Sequence, residues 1–202
     1  MSLIKKGYEV YREAVDPFTA DLIYDYLQLK QKVQQTLIDD GEIKTKDELF
    51  GHYEDLLVPG TWNIYGDPLN DIFLHKFIPL FNQISKRETI PNYSYARLYK
   101  KGDVLTKHLD RPSCGLSGTL CLGGDPWNIF VKDFETNEVQ IDLKPGDVLI
   151  YDGVKCLHWR EKFKGKKCGQ LFLHYGYADN PEDMKNIFDG RKHLGLPRCI
   201  KK

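Results

Sequence analysis

Val104-Leu-Thr-Lys-His-Leu-Asp110 is the stretch on which the fold reading turns. The Lys100-Lys-Gly-Asp103 segment ahead of it has turn composition, so the chain resumes as an extended run at Val104. Side chains alternate across an extended strand, so His108 and Asp110 point the same way and Leu109 the other. Both polar side chains can then reach a single ion. A His-x-Asp triplet recurs by chance, and context gives this one its weight. A second histidine, His158, follows Lys144-Pro-Gly-Asp-Val-Leu-Ile-Tyr-Asp-Gly153, which reads as a tight turn feeding an apolar strand.

Working outward, Tyr93-Ser-Tyr-Ala-Arg-Leu-Tyr99 alternates as a strand, and Leu116 to Leu122 is a short strand closed by Gly123-Gly-Asp-Pro126. Gly165-Lys-Lys-Cys-Gly169 turns into Gln170-Leu-Phe-Leu-His-Tyr175. The order is strand, His-x-Asp, strand, turn, strand, His, turn, strand. This predicts an α+β, mainly β fold: a double-stranded β-helix, or jelly roll, with the metal at its mouth and supporting N-terminal helices. Two imidazoles and one carboxylate on one face of an ion leave the other face open for substrate and dioxygen, the arrangement of non-haem Fe(II) oxygenases.

With Arg97-Leu-Tyr-Lys-Lys-Gly102, His108-Leu-Asp110, Pro145-Gly-Asp-Val-Leu-Ile-Tyr151 and His158 in this order, the chain resembles the Fe(II)/2-oxoglutarate-dependent dioxygenases, and among them the prolyl-4-hydroxylase-like group. The resemblance covers roughly residues 90 to 178. It implies His108, Asp110 and His158 as catalytic iron ligands. Relatives also carry an arginine or lysine about nine or ten residues past the distal histidine, which binds the far carboxylate of 2-oxoglutarate. Lys167 is the best match, with Lys166 and Arg160 as nearby alternatives. Many relatives use arginine there, whose planar fork grips a carboxylate with two bonds, whereas lysine is a mobile point charge. Tyr99 and Thr119 are the further candidates for cofactor contact. The implied reaction is hydroxylation of a C–H bond on a peptidyl (prolyl among them) or small-molecule substrate, with release of succinate and carbon dioxide. Fe(II), 2-oxoglutarate and dioxygen are the implied reactants, and the resemblance leaves ascorbate open as a further cofactor.

His174 is the rival for the distal ligand, but no cation follows it at the required spacing. It reads as a core or pocket histidine, with a substrate-facing role as the alternative. His52, His75 and His193 read as structural or solvated. Trp127, Trp159, Arg97 and Arg111 are near enough in sequence to contact substrate, although core packing is the stronger reading for the tryptophans.

The rest of the chain reads as support for a single domain over residues 1–202, with helical support at about 16–85 and the jelly-roll core at about 90–178. Asp16-Pro17 and Asp67-Pro68 are helix starts, an N-cap followed by a first-turn proline. Leu22, Ile23, Tyr26, Leu27 and Leu29 form one apolar stripe, continuing toward Val33 and Leu37. Leu69, Ile72, Phe73, Phe77, Leu80 and Phe81 form a second, which Pro79 kinks or breaks. Both stripes are expected to pack helices onto one sheet. The polar segment 39–62 is either a loop over the active-site mouth or a plain surface connection. A short helix at 181–188 and a loosely ordered basic tail complete the span 181–202.

Lys plus Arg number 29 and equal Asp plus Glu at 29, so nothing argues for a nucleic-acid footprint or a polybasic membrane surface. Cys114, Cys121, Cys156, Cys168 and Cys199 make an odd count without CxxC spacing, which argues against a disulfide framework. No signal peptide and no apolar run of ~18 residues is evident, so a cytoplasmic setting is expected. Two other classes remain open: a cupin-type jelly-roll metalloprotein that does not use 2-oxoglutarate, and a non-catalytic jelly-roll binding module.

Overall fold

The structure, a computed structural model, describes residues 2–198. Its first elements are helix α1 (Ser2–Lys6), strand β1 (Tyr8–Tyr11), helix α2 (Pro17–Asp39), strands β2 (Lys46–Asp47), β3 (Gly51–His52) and β4 (Trp62–Tyr65), and helices α3 (Pro68–Lys76) and α4 (Ile78–Ser85). Then come β5 (Thr89–Lys100), β6 (Leu105–His108), β7 (Leu116–Gly124), β8 (Ile129–Lys132), β9 (Glu138–Ile141), β10 (Val148–Tyr151), β11 (His158–Arg160) and β12 (Lys167–Tyr177). Helix α5 (Pro181–Met184) and a 3-10 turn (Ile187–Gly190) follow.

Strands β5 to β12 build the expected jelly roll. The major sheet runs β1-β10-β7-β12-β5-β4-β3-β2 and the minor sheet β6-β11-β8-β9, with every pairing antiparallel. Alternation gives the major sheet two apolar faces. Ala96, Leu98, Leu120, Ile150, Leu171 and Leu173 pack with Ile23, Leu27, Leu74 and Phe81 of the helices. The intervening residues turn into the barrel.

The helix starts follow the expected chemistry. Asp16 accepts from the Thr19 backbone amide at 3.0 Å, and Asp67 from that of Leu69 at 2.9 Å. Pro79 falls in the first turn of α4, so the second apolar stripe splits at Phe77 into two helices.

Three expectations need correction. Ala20, Ile23, Tyr24 and Leu27 are the buried face of α2, while Leu22 and Leu29 stay exposed. A neighbour in sequence lies about 100° away around a helix, so these leucines turn off the sheet. Strands β8 and β9 escaped the sequence reading because each is only four residues long, too short for alternation to stand out. The tail beyond Gly190 is tied down at Arg191, whose guanidinium pairs with Asp71 at 2.9 Å, both side chains buried. Cys199 and the end of the basic tail lie outside the described residues. Cys114, Cys121, Cys156 and Cys168 are free and buried. Among the described residues, no helix is long and apolar enough to cross a membrane.

Candidate active site

Antiparallel pairing of β6 with β11 sets His108 directly opposite His158, with ring centroids 4.2 Å apart. Each Nδ1 faces a backbone carbonyl, Thr106 at 2.8 Å for His108 and Cys156 at 3.0 Å for His158. A carbonyl can only accept, so Nδ1 carries the proton in both rings and each Nε2 keeps its lone pair. Those two Nε2 atoms lie 3.8 and 3.6 Å from Asp110 Oδ1. An ion with bonds of about 2 Å to nitrogen and oxygen has room among the three atoms. Burial pushes the His158 imidazole down to about 4, against the opposing attraction of Asp110, so it is neutral at neutral pH.

Asp110 is held from two sides. Its amide donates to the Gly153 carbonyl at 2.8 Å, and its Oδ2 accepts from Ser117 Oγ at 2.7 Å. Gly153 is required by close approach: a Cβ there would stand 2.5 Å from Asp110 Oδ2, 2.5 Å from the Cys114 carbonyl and 2.6 Å from Ser117 Oγ. Nothing in the sequence alone assigns Gly153, Tyr151 or Ser117 a role at the site. Ser117 shares the strand parity of Thr119, which was the available signal.

Asp110, Cys114 and His174 form a second cluster of potential ligands. It is the poorer metal site. Burial pushes the Cys114 thiol up to about 11, and its sulfur lies 3.2 Å from the Tyr93 hydroxyl. His174 Nδ1 is engaged with Ser117 Oγ at 3.0 Å.

A cavity of about 380 Å³ opens beside the three ligand atoms. Leu105, Thr119, Ile129, Tyr151 and Phe172 line it, as do Tyr65, Tyr93, Tyr95, Arg97, Arg111 and His174. Asp55 and Leu57 line it too, so segment 39–62 does reach the mouth. Asp55 fastens that segment: it accepts from Tyr95 Oη at 2.7 Å, Arg97 Nη2 at 2.8 Å and the amides of Leu57 and Val58 at 2.9 Å each. Burial alone would raise its carboxyl, but Arg97 and these donors outweigh it and hold the group below its usual range.

The cofactor candidates separate. Thr119 lines the cavity, and its buried Oγ1, near the Tyr151 phenol, makes no hydrogen bond of ordinary length. Tyr99 is fully buried, its hydroxyl accepting from Arg97 Nη1 at 3.0 Å and its ring edge-on to Trp127 at 4.8 Å; it does not line the cavity. Lys167 is not brought to the group. Its Nζ donates to Gln31 Oε1 on α2 at 3.1 Å, and Lys166 is exposed. Parity explains this: Cys168, Gln170, Phe172 and His174 pair with Tyr99, Arg97, Tyr95 and Tyr93 on the barrel face, so Lys167 turns to the helix side.

Arg160 is the alternative that is buried in the barrel, although, like Tyr99, it does not line the cavity. It is two residues past His158 on β11 and 1% exposed. Its Nη1 donates to the Trp127 carbonyl and its Nη2 to Gln170 Oε1 at 3.1 Å, both neutral acceptors, while Nε has no partner. Its charge opposes the burial that raises the thiols of Cys121 and Cys168, which stand on the neighbouring strands β7 and β12 of the major sheet. Trp127 packs on Tyr99 and Phe163, and Trp159 stacks on Phe130 at 5.4 Å, so neither tryptophan lines the main cavity.

No family model matches the sequence, and no curated protein matches it. Solved structures do match by fold. A prolyl-4-hydroxylase from Pseudomonas putida superposes with a TM-score of 0.64 at 14% identity, covering 87% of this chain and 95% of that one. AviO1 from Streptomyces viridochromogenes Tue57 gives 0.65 at 14% identity, covering 89% and 93%. HygX from Streptomyces hygroscopicus, solved with nickel and 2-oxoglutarate bound, gives 0.62 at 12% identity, covering 88% and 85%. With its two antiparallel sheets and its His-Asp-His cluster at the cavity, this chain has the jelly-roll fold of the 2-oxoglutarate/Fe(II) oxygenases, prolyl-4-hydroxylases among them.

Proposed function

We propose that the protein is a 2-oxoglutarate- and Fe(II)-dependent oxygenase that hydroxylates a C–H bond of a peptidyl, prolyl or small-molecule substrate, releasing succinate and carbon dioxide. The observation that carries the reading is the convergence of His108 Nε2, His158 Nε2 and Asp110 Oδ1 beside the cavity. Iron, when bound, supplies the oxidising chemistry with dioxygen and the 2-oxo acid. The chain's own work is to fix that ion and exclude water around it.

The residues present also suit a dicarboxylate. Arg160 is a buried cation bonded only to neutral oxygens, and an uncompensated buried charge is costly by several kcal/mol. Arg97, by contrast, already has Asp55. We assign the far carboxylate of 2-oxoglutarate to Arg160, with the free hydroxyl of Thr119 as a further donor. The cation then comes from the strand of the distal histidine, and Cys168 occupies the inward position next to Lys167.

Succinate formation tests the function. His108→Ala and Asp110→Ala should abolish substrate-linked and uncoupled turnover together. Undiminished succinate in both variants would overturn the reading.

A further inference from the structure

His174 is buried in the wall of the cavity and takes no part in the proposed metal site. Its ring stacks on Tyr93 at 4.5 Å, and Tyr93 stacks in turn on Tyr65 at 5.1 Å. Its Nδ1 lies 3.0 Å from Ser117 Oγ, and the same Oγ lies 2.7 Å from Asp110 Oδ2. Its Nε2 has no partner among the described residues.

Counting hydrogens fixes the tautomer. A serine hydroxyl has one proton, and an ionised carboxylate can only accept. Ser117 therefore donates to Asp110 and must accept from His174. The His174 proton is on Nδ1, which leaves Nε2 as a bare acceptor in the wall of the cavity. His174 lines the cavity, so a bare Nε2 is open to a donor that a ligand brings there.

We infer that His174 is a specificity-determining residue whose Nε2 accepts a hydrogen bond from a hydroxyl or N–H of the substrate, selecting molecules that carry a donor on an otherwise apolar ring or side chain. This rests on the oxygenase reading. The same Ser117 that positions Asp110 fixes which way His174 reads the substrate, so metal ligation and substrate choice share one hydroxyl. Tyr65, Phe172 and Leu109 supply the apolar walls.

The test uses full-length protein loaded with diamagnetic Zn(II) and 2-oxoglutarate. Nitrogen-15 NMR of the histidine rings should show His174 protonated at Nδ1 and bare at Nε2. Cyclohexanol and methoxycyclohexane, which differ in the donor, are then titrated as probes. Cyclohexanol should bind about threefold to tenfold tighter and shift Nε2. In His174→Phe, which keeps a ring against Tyr93, the two probes should bind alike. A proton on Nε2, or equal binding of alcohol and ether to the wild type, overturns the inference. Zn(II) and 2-oxoglutarate binding are measured in the same samples, and their failure would strike the oxygenase reading instead.

Discussion

His108 and His158 are direct cross-strand partners on β6 and β11, their rings 4.2 Å apart. Two proposed ligands fifty residues apart in sequence are thus aligned by backbone hydrogen bonds, and the third, Asp110, follows His108 by two residues on the same side. Pairing register, more than loop conformation, sets this centre.

Gly153→Ala should disturb the centre without removing a ligand. The added methyl would meet Asp110 Oδ2 and Ser117 Oγ at under 3 Å, and neither can retreat without leaving its partner. Overpacking of this kind costs about 1–3 kcal/mol. Urea unfolding should register that loss, and Co(II) titration should show weaker binding. Unchanged stability and metal affinity would mean that the crevice is more compliant than its contacts imply.

Arg160 and Lys167 give opposite expectations for co-substrate binding. Arg160→Met should weaken 2-oxoglutarate by about tenfold to a hundredfold, the scale of a lost charge-assisted hydrogen bond. Lys167→Ala, which loses only a bond to Gln31, should leave it nearly unchanged. Calorimetric titration of Ni(II)-loaded protein distinguishes the two, and the reverse ranking would return the role to Lys167.

Asp55→Ala leaves Arg97 buried without its carboxylate, a change worth about 3–5 kcal/mol when a buried pair is broken. The segment from Tyr53 to Gly60 should then lose amide-exchange protection. Adding Arg97→Met to the same protein should recover part of the stability. If the double variant is no better than the single, the pair is not what fastens this segment.

The clustering of the three proposed ligands was legible in the sequence because His-x-Asp on a strand puts both side chains on one side and the Pro145-Gly-Asp147 turn announces the strand before His158. The anchoring cation proposed above was less legible. Lys167 has the expected spacing from His158, but counting residues ignores strand parity, and one step along β12 exchanges the barrel for α2. Arg160 was legible only as an alternative, since nothing in the sequence shows that its partners are neutral. Ser117 shares the strand parity of Thr119, but its contact with His174, like that of Asp55 with Arg97, joins residues distant in the chain and could not be read locally.

Acid should destabilise the metal-free protein before its carboxylates titrate. Burial pushes His158 and His174 down to about 4 in the folded state, from 6.5 when unfolded. Between those values the unfolded chain binds more protons, so stability is full above about pH 6.5 and falls as pH drops toward 4. Each histidine contributes on the order of 3 kcal/mol over that window. The urea midpoint at pH 5 should lie below that at pH 7. A His174→Phe protein should show a shallower dependence, and an identical slope would contradict the burial argument.

The most direct measurement is an anaerobic titration of the purified protein with Fe(II) and then 2-oxoglutarate, followed in the visible. The account predicts a metal-to-ligand charge-transfer band that is absent in Asp110→Ala and needs more 2-oxoglutarate to saturate in Arg160→Met. Bound iron with no band at any 2-oxoglutarate concentration would contradict it and favour a cupin-type metalloprotein; no iron binding at all would leave a jelly-roll scaffold.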